Sequence, residues 1–165
     1  MDDSLTPKII NDYLPRDLYD QCLKHITKAT NFSPYEGSPI IKAVSDETSK
    51  HLIDQVNSIV VDRIKELFDM DLVLDQGYMV VWPDGSNGAH EHIDSHVGAE
   101  HLLISTVVYL NDDYEGGQIN FPTLGISHKP AGNQGIHFKS DLLHSVSPNL
   151  YSRYNIVMWH RKQYI

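Results

Sequence analysis

Cysteine is nearly absent from this chain: Cys22 is the only one in 165 residues, which excludes an internal disulfide and fits a reducing compartment. Long apolar runs are missing as well. No stretch approaches the ~18 consecutive apolar residues of a membrane span, and Met1-Asp2-Asp3-Ser4 lacks the apolar core of a secretory signal. A cytoplasmic location with no membrane partner is the expectation. Positive charge is scarce, with 13 Lys and Arg against 22 Asp and Glu and a formal net charge of −9. Phosphate contacts need clustered Lys and Arg, so no nucleic-acid partner is expected. The one short basic run, His160-Arg161-Lys162, reads as a solvated strand end. No internal repeat, low-complexity tract or second linker stands out. The length suits a single domain over 1–165 that buries roughly two-thirds of its unfolded surface. That leaves no room for a separate substrate domain, so selectivity falls to loops.

What is present divides into a helical first part, about 1–70, and a β-rich remainder, about 71–165. Pro15 is tolerated in a first helical turn, and Leu18, Cys22, Leu23 and Ile26 form an apolar stripe, predicting a helix over about 15–30. Ser33-Pro34 and Gly37-Ser38-Pro39 make 31–45 read as a loop. A second helix should begin at an Asp46 cap, with Leu52, Val56, Ile59, Val60, Ile64 and Leu67 at helical spacing. Beyond Leu72 come short runs rich in Val, Ile, Tyr and Trp, broken by turn residues. They predict eight strands near 72–82, 89–94, 103–110, 117–121, 124–128, 135–138, 142–146 and 152–162. The fold class is mainly β with N-terminal helices (α+β), a sandwich or jelly roll with the helices packed on one sheet.

His92-Ile93-Asp94, followed by His144, supplies two imidazoles and a carboxylate, the facial donor set of labile iron(II) sites with open positions for co-substrate and dioxygen. On a regular strand, residues i and i+2 share a face, so His92 and Asp94 could grip one ion while His144 arrives from a distant strand. The same alternation would bring His90 and His96 to that face as mouth residues and candidate substrate contacts. Arg153, Asn155, Val157 and Trp159 likewise share one strand face, which would point into the barrel. Trp159 on that face reads as core. Chance alone gives roughly one His-x-acid triplet in a chain this rich in both types, so the context has to carry the inference.

That context is Trp82-Pro83-Asp84-Gly85, His92-x-Asp94, Tyr109-Leu110-Asn111, Gly116-Gly117 with Phe121-Pro122, and His144 with Arg153 nine residues on. In this order and spacing the stretch from about Tyr78 to Trp159 resembles the iron(II)/2-oxoglutarate-dependent dioxygenases, in particular their prolyl 4-hydroxylase-like branch. The resemblance implies a double-stranded β-helix holding Fe(II) on His92, Asp94 and His144, with 2-oxoglutarate as co-substrate and ascorbate as reductant. It implies hydroxylation of an unactivated C–H bond with release of succinate and carbon dioxide. The expected substrate is a prolyl residue in a peptide or protein, with a free amino acid or other small molecule as the alternative. Arg153 is the candidate for the distal carboxylate of 2-oxoglutarate, since a guanidinium fork matches a carboxylate, and Tyr109 could add its hydroxyl. Trp82 stands where the family usually has a tyrosine near substrate and co-substrate, keeping the aromatic face without the hydroxyl. The carboxylate at Asp94 favours hydroxylation over halogenation.

Two other readings compete. His90-x-His92-x-Asp94-x-His96 approaches the His-x-His-x-Asp-His signature of zinc-dependent metallo-hydrolases, though Ser95 interrupts it. A jelly-roll binding module without catalysis is the other, because fold does not dictate function. Loops 31–45, 84–101 and 111–116 are where selectivity should reside.

Overall fold

Helical periodicity is realised at both expected places in the computed structural model, which describes residues 5–164; the acidic Met1–Ser4 lies outside them. Helix α1 (Arg16–Lys28) follows Pro15 and buries Leu18, Tyr19, Cys22 and Ile26. Helix α2 (Glu47–Phe68) starts at Asp46, whose carboxylate accepts the Ser49 N–H at 2.7 Å while Ser49 Oγ reaches back to the Asp46 N–H. That reciprocal pair is a capping box. The helix stops at Asp69, which adopts a left-handed φ of 53° and donates its N–H to the Lys65 carbonyl. No helix among the described residues is long and apolar enough to cross a membrane.

Thirteen strands accompany them among the described residues: β1 (Lys8–Ile10), β2 (Phe32–Pro34), β3 (Lys42–Val44), β4 (Leu72–Trp82), β5 (Ala89–His92), β6 (Leu102–Tyr109), β7 (Glu115–Gly116), β8 (Ile119–Phe121), β9 (Ile126–His128), β10 (Gln134–Lys139), β11 (His144–Val146), β12 (Asn149–Leu150) and β13 (Arg153–Lys162). The eight expected strands are all present, and five short ones are added. The stretch read as a loop, 31–45, is in fact a hairpin in which β2 pairs β3 and β3 pairs β4. Strands of two or three residues are too short to show alternation, so this pairing left no mark in the sequence. Leu124, expected to open a strand, instead ends a 3-10 turn over Pro122–Leu124 that Gly125 closes.

Seven strands in the order β1-β10-β6-β13-β4-β3-β2 form the major sheet, and β5-β11-β8-β9 form the minor one. Alternation divides the major sheet between two cores. Met79, Ile104, Val108, Ile156 and Met158 pack against α1 and α2. Val80, Trp82, Val107, Tyr109, Ile136, Phe138, Val157 and Trp159 face Ile119 and Phe121 of the minor sheet. The result is a helix layer on one face of a two-sheet jelly roll, as the composition of the two halves predicted.

Two histidines sit on the helix-facing side with no exposed surface. His137 receives or donates at both ring nitrogens, to Tyr13 Oη at 2.9 Å and Thr106 Oγ1 at 2.8 Å. His160, read as part of a solvated strand end, is instead fully buried, with Nε2 2.9 Å from Asn57 Oδ1 of α2. Its neighbour Arg161 pairs with Asp75 at 2.8 Å rather than facing solvent as a free cation. Burial lowers the pKa of His137 to about 3 and of His160 to about 4. Both are therefore neutral in the native state, while an unfolded chain protonates them below about 6.5. Their contribution to stability is complete above that value and is lost as pH falls toward the folded pKa values, at up to ~1.4 kcal/mol per pH unit for each. The melting temperature should accordingly fall between pH 7 and pH 4.5, and the doubly substituted H137Q/H160Q protein should show a shallower slope. Parallel slopes for the two proteins would remove this role.

Candidate active site

His92 and His144 are direct partners across the β5–β11 pairing, so the two imidazoles are neighbours in one sheet rather than contributions from distant strands. Their ring centroids lie 4.3 Å apart. The expected run of alternating side chains past His92 does not occur. The register between β5 and β11 shifts between Ala89 and His92, β5 ends at His92, and the N–H groups of Asp94 and Ser95 both turn to the Ser140 carbonyl at 2.8 and 3.0 Å. Held there outside the strand, Asp94 brings Oδ1 to 3.5 Å from His92 Nε2 and 3.7 Å from His144 Nε2. Ligand atoms of His92, Asp94 and His144 all lie within 4.8 Å of one another.

Each histidine is held in one orientation. His92 Nδ1 lies 2.7 Å from the His90 carbonyl and His144 Nδ1 2.9 Å from the Leu142 carbonyl. A carbonyl only accepts, so each Nδ1 carries a proton and each Nε2 is turned toward Asp94. The carboxylate is held as well, with Ser105 Oγ donating to Asp94 Oδ2 at 2.6 Å and sharing a further bond with Ser140 Oγ at 2.9 Å. One carboxylate oxygen is thereby fixed and the other left facing both imidazoles. The hydrogen-bonded Asp94 raises the His92 pKa against burial, whereas burial lowers that of His144. Burial pushes the Asp94 carboxyl up, but His92, His144 and Ser105 outweigh it and hold the group below the usual carboxylate range. Two imidazoles and one ionised carboxylate suit a divalent iron, whose binding takes any proton off the ligating nitrogens.

His90 and His96 do not join this group. His90 is exposed, and His96 turns Nδ1 to the carbonyl of its own neighbour Val97. The four-ligand set required for zinc-dependent hydrolysis is therefore not assembled.

Beside the triad lies a small cavity of about 70 Å³ bordered by Trp82, Tyr109, His144, Arg153, Asn155 and Trp159. Arg153 is 1 % exposed, and its Nε and Nη1 have no hydrogen-bond partner. Its guanidinium lies 4.5 Å from the Trp82 ring, its direct partner in the β13–β4 pairing, and 5.7 Å from the Tyr109 ring. The hydroxyls of Tyr109 and Tyr114 are also buried, with only the nearby Arg153 cation to interact with. Burial pushes the Tyr109 hydroxyl to about 12, so it is a neutral donor. Buried polar groups are normally satisfied; a cation and two hydroxyls left unsatisfied together fit an anion. Gly117 makes room for this end, since a Cβ there would come within 2.7 Å of the Tyr114 ring and 3.1 Å of Arg153 Cδ.

On the other side of His92, Asp94 and Trp159 opens a cleft of about 670 Å³ that Gln76, His96 and His101 also border. His96 borders this cleft, while His90 borders neither cavity. Trp159, read as core, borders both. Sequence reasoning missed Ser105, Tyr114, His101 and the pair Tyr35 and Glu36, which border the small cavity from the hairpin taken for a loop. Their only signal was membership of a loop already marked for selectivity.

Residues 76–161, more than half of the chain, match the model of the 2OG-Fe(II) oxygenase superfamily. No curated protein sequence matches the chain. Among solved structures, a prolyl-4-hydroxylase from Pseudomonas putida is 19% identical, with a TM-score of 0.72 over 98% of this chain and 95% of that one. A viral collagen prolyl hydroxylase from Paramecium Bursaria Chlorella virus-1, solved as its 2OG complex, is 16% identical, with a TM-score of 0.69 and 96% of each chain covered. A Trichoplax adhaerens prolyl hydroxylase, in complex with a hypoxia inducible factor peptide fragment, is 20% identical, with a TM-score of 0.70 over 94% of this chain and 83% of that one. These likenesses extend the fold over nearly the whole chain, and the match over 76–161 spans both metal-binding histidine positions and the buried arginine: the chain belongs to the 2OG-Fe(II) oxygenase superfamily.

Proposed function

We propose that residues 1–165 form one catalytic domain that hydroxylates a prolyl residue in a peptide or protein, with His92, Asp94 and His144 holding Fe(II) and Arg153 holding the distal carboxylate of 2-oxoglutarate. The observation that carries this reading is the buried Arg153 guanidinium, unpartnered at one end of a cavity whose other end is the triad. Bound iron and 2-oxoglutarate supply oxidising power from dioxygen, leaving succinate and carbon dioxide; the protein supplies position and exclusion.

Nε2 of both histidines already faces Asp94 Oδ1, so the donor set needs little rearrangement to accept an ion. Ser105 keeps Asp94 Oδ2 engaged and so favours a single carboxylate oxygen as ligand. Arg153 Nε and Nη1, with the hydroxyls of Tyr109 and Tyr114, are the donors available to a carboxylate. Trp82 holds the guanidinium through its ring face, so its role lies with the co-substrate end rather than the substrate. The small cavity matches a compact dicarboxylate, and the larger cleft beyond Trp159, with His96 and His101 on its rim, is the substrate's approach. Support for a prolyl substrate comes from the neighbours of the same fold that are prolyl hydroxylases, one of them seen with a peptide.

Anaerobic titration with iron(II) and 2-oxoglutarate should produce the weak visible charge-transfer band of a chelated complex, and a wild-type protein without it would defeat the assignment. Asp94→Ala and His144→Ala should abolish both this band and succinate formation; turnover at the wild-type rate would remove the substituted residue from the site. Arg153→Ala should weaken 2-oxoglutarate by roughly 10- to 100-fold, as expected for a lost charge-assisted pair, while iron affinity changes little. Equal co-substrate affinity would refute the role of Arg153. Ser105→Ala should lower iron affinity on the order of tenfold through a loosened Asp94, measured by competition with a chelator, and an unchanged affinity would make Ser105 a packing residue only.

A further inference from the structure

Four residues border both cavities: His92, Asp94, Trp159 and Glu36. The first three belong to the jelly roll. Glu36 alone comes from the hairpin between β2 and β3, at its tip. There Glu36 and Gly37 are both left-handed, with φ of 48° and 72°, a conformation that costs a glutamate about 1 kcal/mol or more. The Tyr35 N–H donates to the Ile41 carbonyl at 3.1 Å, and the Ser38 N–H to the Tyr35 carbonyl at 2.8 Å. Tyr35 anchors the tip, because its buried ring meets Tyr78 edge-on at 5.9 Å and Tyr78 meets Trp159 at 6.2 Å. An aromatic chain thus fixes the Glu36 backbone relative to the wall of the site.

The Glu36 carboxylate has no hydrogen bond or ion pair among the described residues, although it is exposed and adjoins His92, Asp94 and His96. The other carboxylate on the cleft, Asp75, is paired with Arg161 at 2.8 Å and His101 at 3.4 Å. On the reading proposed above, a divalent iron and the Arg153 cation cancel the charges of Asp94 and 2-oxoglutarate. Glu36 then leaves one negative charge at the junction through which substrate must reach the metal. A neutral prolyl amide does nothing to offset that charge, whereas a cation does so at close range and in a partly enclosed cleft.

We propose that Glu36 selects a substrate bearing a positively charged nitrogen close to the carbon that is hydroxylated. An ammonium on the target ring or molecule itself and a Lys or Arg side chain beside a target residue present the same chemistry. This inference rests on the oxygenase reading and adds the substrate's charge to it.

The test is calorimetric binding to protein loaded with Ni(II) and 2-oxoglutarate, at low and high salt. The probes are prolinamide and N-acetylprolinamide, followed by N-acetylated, amidated proline tripeptides with Arg or Ala beside the proline. At least one cationic probe should bind about tenfold or more tightly than its neutral partner. Glu36→Gln should abolish that preference, and Glu36→Lys should reverse it toward N-acetylproline, whose carboxylate is free. The prolinamide and Arg-peptide arms tell an intrinsic ammonium from a flanking basic side chain. Equal binding of charged and neutral partners, binding of neither, or a preference unchanged in Glu36→Gln would overturn the proposal. Failure of the wild-type protein to bind 2-oxoglutarate in the same experiment would instead strike the oxygenase site on which it rests.

Discussion

A guanidinium almost wholly removed from water, paired with no carboxylate among the described residues, is the constraint around which this jelly roll is arranged. Transferring an unpaired charge to the interior is expensive, by several kcal/mol even after relaxation. The surroundings lower that cost without neutralising the charge. Trp82 and Tyr109 present ring faces to Arg153, and the Tyr114 ring packs where only a glycine at 117 leaves space. Lys129 in turn pins Tyr114, with Nζ 2.9 Å from its carbonyl and 3.2 Å from its ring centroid. Among the described residues no carboxylate pairs with Arg153, so the positive potential survives for a ligand. An arginine satisfied by a buried aspartate would stabilise the apoprotein and leave nothing to bind an anion.

The opposite end of the cavity follows a complementary rule. There the polar groups are tied to fixed partners except for the atoms that face one another. The backbone carbonyls at His90 and Leu142 fix both imidazole tautomers, Ser105 fixes one oxygen of Asp94, and the remaining Nε2, Nε2 and Oδ1 converge. Convergence depends on where β5 ends. A regular strand would have continued to Asp94 and placed it by alternation, whereas the chain leaves the sheet after His92 and is caught by the Ser140 carbonyl.

The parts of this arrangement legible in the sequence are those whose chemistry or periodicity is local. The apolar stripes of α1 and α2, the Asp46 cap, the long strands β4, β6 and β13, and the inward face of Arg153, Asn155, Val157 and Trp159 all follow from spacing alone. The three metal ligands were legible through residue type and order. What stayed hidden depends on adjacency across the fold. Ser105 looks like any strand serine until β6 is set beside the loop carrying Asp94. The β2–β3 hairpin is too short to alternate, so Glu36 had no face to belong to. His160 ended a basic run and read as solvated, yet it shares the Met158 face of β13, which α2 covers.

The buried histidines show why residue type alone does not make a metal ligand. His137 and His144 are comparably buried, and both are neutral by burial. At His137 both ring nitrogens are committed to hydroxyls of Tyr13 and Thr106, so no lone pair remains for an ion, and its part is to join the N-terminal segment to the sheet. At His144 one nitrogen is held by a main-chain carbonyl and the other meets only Asp94. A single difference in hydrogen bonding separates a packing residue from a donor. A like contrast runs between the two faces of the major sheet: His137 toward the helices has both ring nitrogens bonded, while Arg153 and Tyr109 toward the minor sheet are left incomplete. That incompleteness is the physical content of the site, since the energy withheld from the fold at Arg153, Tyr109 and the triad is available on binding.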